Sequence, residues 1–357
     1  MVVAQHGLRT LGPPGLRDWL VPLEIGSVAV SLFFVLSGFI VVEAAALFYE
    51  RRAAAFLLNR MIRIYPPYIV AVVLTVVVTA VIGRMGGDGA IISLFGSWPD
   101  HSAHNIVASL FGIVPVIGKL LEPAGSEPIL ILAWALRVEL VFYGLVFVAL
   151  VAGRLLDQPV ARMLGVAGVS LLLYDAVRFD ALRGGGLEYT PYFVLGVSAY
   201  FSIAPASFRR RALALFLVLA SSIMIAFHIG GQELVNEKGG YVRDLAGQCA
   251  LFYAGTGVWL ALLAVPRLMP DVYARVRAAD QGLGELTYPL YLTHMAALLP
   301  CVWLVPNTSI LAWPVALGAV LGLAWLMHHV VESRLMVLRQ KVRGQNLNIA
   351  APAVANP

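Results

Sequence analysis

Ionisable residues interrupt long apolar runs of this chain, and such residues are costly in a membrane unless they find a partner or serve a function. Arg137 and Glu139 both lie in the apolar run at 130–144. Residues two positions apart on a helix point in different directions, so these two are poor partners for each other. We expect each to pair with a group on another helix, either as a packing ion pair or in the wall of an active-site cavity.

Histidines are the second kind of candidate, because an imidazole takes up or releases a proton near neutral pH. His294 lies well inside the apolar run at 286–305. It is suited to proton transfer and equally suited to a structural role, in which it hydrogen-bonds a backbone carbonyl. His6 lies at the end of a short apolar opening, and its surroundings alone indicate no chemistry.

Two arginines, Arg60 and Arg63, are spaced to share one helix face just before an apolar run resumes at Ile64. Guanidinium groups bind phosphate well, so the pair suits a phosphate-rich cytosolic ligand, and lipid phosphates would satisfy it equally. The sequence has no phosphate-binding loop, dinucleotide fingerprint or zinc-site spacing, and it therefore predicts no metal.

The composition indicates which elements must hold these residues. Of the 357 residues, 60% are hydrophobic and 13% are charged, and the mean hydropathy is +0.84. A soluble globular enzyme could not hide that much apolar surface, and a disordered chain would be far more polar. The net charge of +5 is modest and gives no reason to expect a nucleic-acid partner. An all-α transmembrane bundle remains, since helices satisfy their own backbone in lipid.

Nine apolar runs are long enough to cross about 30 Å of hydrocarbon. They lie at residues 25–46, 64–83, 129–152, 159–176, 188–204, 212–229, 247–265, 286–305 and 310–331. In the first run, the small pair Ser37-Gly38 permits close helix packing. We expect one membrane-embedded domain over residues 1–335 and a short, disordered cytoplasmic tail over residues 336–357.

Lys and Arg residues are distributed unevenly between the loops on the two sides of these runs. One alternating set of loops, which includes the chain end, holds sixteen of them, and the other set holds eight. The excess marks the cytoplasmic side, so we expect the C-terminus in the cytoplasm. The first run then passes inward and needs an earlier crossing. We therefore expect the chain to start inside a truncated first helix that ends near His6.

Several segments, in this order, resemble the acyltransferase-3 family of integral membrane acyltransferases, which O-acylate bacterial surface polysaccharides. They include a Phe-Phe-Val-Leu-Ser-Gly-Phe helix, an Arg-x-x-Arg-Ile stretch, a Trp-x-Leu-x-x-Glu-x-x-Phe-Tyr run, a Tyr-Leu-x-His run and a glutamate that ends the last helix. These segments are Ser27–Val41, Phe56–Tyr68, Trp134–Tyr143, Gly284–Met295 and His328–Leu335. The short form, without a fused domain, is most similar to the branch that modifies exopolysaccharides.

The resemblance implies a ten-helix enzyme of the bacterial inner membrane, with a histidine late in its first helix. His6 matches that histidine and takes the role of catalytic base or of a transient acyl carrier. Glu139 matches the family's glutamate and is expected to orient His6 or to hold the acceptor. The arginine that precedes the family's histidine has no counterpart here, and Ala135 stands where a serine is usual.

The donor that the resemblance implies is acyl-CoA, usually acetyl-CoA, which approaches from the cytoplasm, with no permanently bound cofactor. The residues expected to bind it are Arg60, Arg63 and Tyr65. The residues expected to contact the acceptor glycan are Trp134, Arg137, Tyr288 and His294. The rival interpretation is a transporter or flippase of a glycan precursor. Transporters often consist of two related halves, and the sequence shows no such repeat.

Overall fold

The chain folds almost entirely into helices. A computed structural model describes residues 1–114, 129–177, 187–203, 208–232, 235–236, 241–305 and 312–344. The helices are α1 (Val2–Leu11), α2 (Pro14–Leu20), α3 (Ile25–Phe48), α4 (Ala53–Arg84), α5 (Asp88–Phe95), α6 (Ala103–Phe111), α7 (Ala133–Leu155), α8 (Val160–Val177), α9 (Thr190–Ile203), α10 (Phe208–Gly230), α11 (Leu245–Leu268), α12 (Pro270–Leu304), α13 (Ala312–Met327) and α14 (Ser333–Arg343). Two strands of two residues each, β1 (Val235–Asn236) and β2 (Tyr241–Val242), pair antiparallel between α10 and α11. The predicted all-α class is confirmed.

Within the described residues, six helical stretches are long and apolar enough to cross a membrane. They are Gly15–Phe48, Ala53–Arg84, Ala133–Leu155, Arg211–Gly230, Leu245–Leu263 and Ala312–Arg343. Each overlaps one of the nine predicted runs, and the chain is a polytopic helical membrane protein. The predicted runs at 159–176, 188–204 and 286–305 fall in α8, α9 and α12, which are helical but lie outside that set of six.

Helix α1 places His6 near its middle rather than in its last turn, so the expected end of this helix near His6 is wrong. The helix continues to Leu11, and Leu8 and Leu11 are both buried. It packs against α3 and α12. A helix of ten residues is marginal alone, and this tertiary packing is what stabilises the turn beyond His6.

Helices α3 and α9 approach each other closely at two glycines. A β-carbon on Gly38 would collide with the carbonyl of Phe193, and one on Gly196 would collide with the carbonyl of Val35. The expectation that Ser37-Gly38 permits close packing is therefore confirmed. The contact also fixes the rotation of α3, and with it the direction in which Ser37 points.

The end of the described chain is a helix that is held against α4. The amide of Asn59 donates a hydrogen bond of 2.8 Å to the carbonyl of Arg339. The guanidinium of Arg52 donates bonds of 2.8 Å to the carbonyls of Val342 and Arg343. Residues 336–343 are thus helical, where the sequence predicted disorder, because α4 satisfies carbonyls that a free helix end would leave open. The rest of the predicted tail, 345–357, lies outside the described residues.

Candidate active site

Two histidines that are far apart in sequence come together in the interior. The ring centroids of His6, on α1, and His294, on α12, lie 5.3 Å apart, with their planes tilted by 41°. The side chain of His294 is fully buried. Both residues are predicted for the site. Their rings are close enough for a proton or a substrate hydroxyl to pass between them. We call them the histidine pair.

The hydrogen bonds of His294 identify which of its nitrogens is available for chemistry. Nδ1 lies 2.9 Å from the carbonyl of Tyr291 and 3.2 Å from that of Leu290. Carbonyls only accept hydrogen bonds, so Nδ1 carries the proton and Nε2 is an acceptor in the neutral ring. Nε2 is buried and has no hydrogen-bond partner among the described residues. The structural role and the chemical role left open by the sequence therefore fall on different nitrogens of one ring.

Glu139 is buried on α7, and its carboxylate is held by two hydroxyls. The hydroxyl of Ser37, on α3, donates a bond of 3.1 Å to Oε1, and the hydroxyl of Tyr143, one turn further along α7, donates to the same oxygen. The expected partner on another helix is therefore a serine. Sequence reasoning missed Ser37 and Tyr143, although the four-residue spacing from Glu139 to Tyr143 places both on one helix face. Among the described residues, the hydrogen bonds of Glu139 do not reach His6. The sequence interpretation expected Glu139 either to orient His6 or to hold the acceptor, and the second role stays a prediction.

Two arginines lie in the N-terminal part of α4. Arg60 is 4% exposed, and its guanidinium lies over the rings of Tyr143 and Phe56, at 5.4 and 5.5 Å from their centroids. Arg63, on the same helix face, interacts electrostatically with Glu139 and with Arg60. The two predicted arginines and the predicted glutamate thus share one region, as helical spacing implies.

Two further arginines, which sequence reasoning did not assign to the site, join this region from α14. Arg339 interacts electrostatically with Arg60, Arg63 and Arg343. The guanidinium of Arg343 lies 5.0 Å from the ring centroid of Phe48. We call the group of Arg60, Arg63, Arg339 and Arg343 the arginine cluster. A separation of more than 270 residues hides this proximity in the sequence.

The break between α13 and α14 is a π-helical turn over His328–Glu332. One extra residue in a turn rotates the following helix by about 100°, which sets the face that α14 presents to α4. His328 lies between two carboxylates, with Nε2 3.6 Å from Glu285 and Nδ1 3.4 Å from Glu332. Glu332 in turn interacts electrostatically with Arg63 and Arg339.

One face of α12 connects the arginine cluster to the histidine pair. The hydroxyl of Tyr288 donates a 3.0 Å bond to the carbonyl of Ile64, next to Arg63, and the hydroxyl of Tyr291 donates a 3.0 Å bond to the carbonyl of Leu132. His294 is one three-residue step beyond Tyr291 and lies next to it on the helix surface. Tyr288 is thus near the arginines, whereas the sequence interpretation gave it to the acceptor.

The remaining predicted residues are Tyr65, Trp134 and Arg137. The hydroxyl of Tyr65 donates a 3.0 Å bond to the carbonyl of Leu110, on α6, so it faces away from Arg63. Trp134 is 37% exposed and lies against the rings of Phe34 and Tyr189. Arg137 is half-buried on α7, two residues before Glu139. Among the described residues, these contacts of Tyr65 and Trp134 do not involve the histidine pair.

A cavity of about 700 Å³ lies elsewhere, among α7, α8, α9 and α10. Its wall toward α3 includes Phe142 and Phe193, whose stacked rings have centroids 4.2 Å apart. Val138 and Phe142 line it, so it lies on the side of α7 away from the hydroxyls that hold Glu139. None of the predicted site residues lines this cavity.

Comparison with known proteins gives a consistent result. Residues 1–329 match the model of acyltransferase family 3, described as an acyltransferase domain. The chain is 30% identical over 282 residues to the exopolysaccharide production protein ExoZ of Rhizobium meliloti (strain 1021), an alignment that covers 77% of each chain. No solved structure matches the chain.

Proposed function

Since the chain belongs to the acyltransferase-3 family, as its motifs predicted, we propose that it transfers an acyl group from acyl-CoA to a hydroxyl of an exopolysaccharide or a related glycan. The family gives the enzyme class, which is acyltransferase. The relative's name, exopolysaccharide production protein, supports the acceptor class. The acyl group in this proposal is acetyl.

The observation that carries the proposal is the contact between the half-buried His6 and the buried His294 in a chain of this family. A sugar hydroxyl is a weak nucleophile and needs a base within hydrogen-bond reach. In the proposed step, His6 takes the hydroxyl proton while the oxygen bonds to the thioester carbon. The carbon–sulfur bond then breaks, and the proton passes from the imidazolium to the leaving thiolate. Nε2 of His294 accepts a hydrogen bond from the hydroxyl or from His6 and fixes its direction.

Glu139 has a positioning role in this account. Its hydrogen bonds to Ser37 and Tyr143 join α3 to α7, and its charge acts on Arg60 and Arg63. A carboxylate at this place orients the guanidinium groups and offsets part of their charge. Catalysis by Glu139 itself would require contact with the reacting atoms, and its hydroxyl partners occupy Oε1.

The donor's phosphates are assigned to Arg60 and Arg63, and its thioester to the histidine pair. α4 and α12 run side by side in the same direction, since Tyr288 contacts Ile64 and Trp303 lies against Gly87, just after α4. The six residues from Tyr288 to His294 rise about 9 Å along α12. Acyl-CoA is here a substrate, and the chain requires no permanently bound cofactor. The excess of Lys and Arg supports a cytoplasmic position for the arginine end and for the C-terminus at the bacterial inner membrane.

The test uses the purified full chain in lipid nanodiscs with radiolabelled acetyl-CoA and an isolated exopolysaccharide. We expect release of free CoA thiol that depends on the acceptor, together with label in the glycan that mild alkali removes as an ester does. A transporter or flippase would move glycan and leave acetyl-CoA intact. Intact acetyl-CoA in the presence of several exopolysaccharides, and of glycans from the source organism, would contradict the proposal.

A further inference from the structure

The arginine cluster holds more positive charge than its protein surroundings offset. Among the described residues, the carboxylates that act on Arg60, Arg63 and Arg339 are Glu139 and Glu332, and Arg343 adds a fourth cation next to Arg339. None of the four forms an ion pair with a carboxylate in the described parts of the chain. Like charges brought together in a poorly hydrated region repel one another unless an anion joins them.

Unused hydrogen-bond donors mark the same region. The Nε atoms of Arg60, Arg339 and Arg343 are buried and have no partner within the described residues. The hydroxyl of Tyr49 is also buried and has no hydrogen-bond partner within the described residues. Tyr49 interacts electrostatically with Arg60. Buried donors are almost always paired in folded proteins, so four orphans in one place indicate an acceptor-rich ligand. A phosphate group has several acceptor oxygens and the required charge.

Helix α14 is held so that its arginines face this ligand position. Asn59 is 2% exposed, lies one residue before Arg60 and bonds the backbone carbonyl of Arg339. Arg52 bonds the last carbonyls of the helix. These bonds fix the backbone of α14 and leave the guanidinium of Arg339 to act on something other than protein.

From these observations we propose that α14 completes the donor site, with Arg339 as a third arginine that binds the phosphate groups of the acyl-CoA donor. Arg343 lies next to it and adds charge at the outer edge of the cluster. The inference rests on the proposed function, because it takes the donor from there. It adds that the last described helix, and not α4 alone, sets donor affinity.

The spacing of the two ends supports this assignment. The five residues from Asn59 to Ile64 and the six from Tyr288 to His294 together rise about 16 Å along α4 and α12. The pantetheine arm of CoA has about as many chain bonds as four residues, which is roughly 14 Å when extended. A donor with its phosphates at Arg339 and Arg60 therefore brings its thioester near the histidine pair.

The experiment compares R339A with R334A, which removes an exposed arginine of the same helix. Both full-length variants are studied in nanodiscs, with CoA binding measured by calorimetry and with acetyl-CoA and acetyl-pantetheine as donors. We expect R339A to raise the Kd of CoA and the KM of acetyl-CoA by about tenfold or more, with kcat within twofold. With acetyl-pantetheine, which has no phosphates, R339A and wild type should have the same KM. R334A should match wild type throughout.

A second variant and a second lipid composition keep the result decisive. If R339A fails to insert, R339K keeps the charge but loses the bidentate fork, and we expect a threefold or greater rise in the Kd of CoA. Equal Kd values for CoA in wild type and R339K would overturn the inference. So would a defect of R339A that appears only in nanodiscs with phosphatidylglycerol, because lipid phosphate would then be the ligand. Failure of wild type to bind CoA would instead overturn the donor assigned under the proposed function.

Discussion

The histidine pair and the arginine cluster differ in charge, in hydrogen bonding and in how the chain builds them. The histidine pair consists of two rings from α1 and α12. Backbone carbonyls fix the ring of His294, whose Nε2 is an acceptor without a partner among the described residues. The arginine cluster consists of cations from α4 and α14, and several of its N–H groups have no hydrogen-bond acceptor among the described residues. An unused acceptor suits the removal of a proton, and unused cationic donors suit the binding of an anion. Under the proposed function, this difference assigns proton removal and donor binding to separate ends of one site.

The largest expected effect is that of His6→Ala. Removal of the proposed base should lower kcat by about 10²–10⁴-fold, the usual contribution of a positioned base. The measurement is acceptor-dependent thiol release at saturating acetyl-CoA, with protein in the membrane fraction confirmed by blotting. His329→Ala, at an exposed histidine, is the matched control and should retain full activity. Normal acyl transfer by His6→Ala would contradict the assignment of proton removal to the histidine pair.

His294→Asn should have the next largest effect. The amide can keep a hydrogen bond to the carbonyl of Tyr291 but offers no ring Nε2 toward His6. We expect kcat to fall by about a hundredfold while the KM of acetyl-CoA stays within twofold. Steady-state kinetics at several donor concentrations separates the two constants. A raised KM of acetyl-CoA with unchanged kcat would show that His294 binds the donor, which would contradict its place in the chemical end of the site.

Arg63→Ala should show the opposite pattern. Loss of one guanidinium that contacts phosphate should raise the KM of acetyl-CoA by about tenfold and leave kcat nearly unchanged. Arg84→Ala, at the far end of the same helix and exposed, is the matched control. If Arg63→Ala changes insertion but not the donor KM, the arginines of α4 serve as lipid anchors, which the sequence left open.

The smallest expected effect on activity comes from Gly38→Ala, which tests the scaffold beneath the arginine end. The added methyl collides with the carbonyl of Phe193 and should destabilise the protein by about 1–3 kcal/mol. Because Ser37 would shift relative to Glu139, we expect a rise in the donor KM of a few-fold and an unchanged kcat. Gly144→Ala has open space around the new methyl and should leave both stability and kinetics unchanged. Thermal unfolding in detergent and donor kinetics are the two measurements.

The sequence predicts the parts of the site that lie close together along the chain. Helical spacing places Arg60 on the same face as Arg63. The small pair Ser37-Gly38 predicts that α3 packs closely against a neighbouring helix. The family resemblance adds His6, which sequence surroundings alone do not single out. The contact of His6 with His294 could not be predicted, because it depends on how α1 and α12 pack across 288 positions.

Other features depend on tertiary structure in ways that no local pattern reveals. The two arginines of α14 face α4 because a π-helical turn at His328 rotates the helix, and such turns have no reliable sequence signal. The residues beyond 335 are few and end in a stretch rich in Ala, Pro and Asn, which predicts a disordered tail, yet Asn59 and Arg52 hold residues 336–343 as a helix. Tyr65 shares a motif with Arg63 but points to the opposite side of α4, toward α6.

The most direct test of the central claim is the Kd of CoA for two variants, measured by calorimetry in the same nanodiscs as wild type. The account predicts that His6→Ala binds CoA within twofold of wild type, because the histidine pair does not hold the phosphates. It predicts that Arg63→Ala binds CoA about tenfold or more weakly. Equal weakening in both variants, or unchanged binding in both, would contradict the separation of chemistry from donor binding.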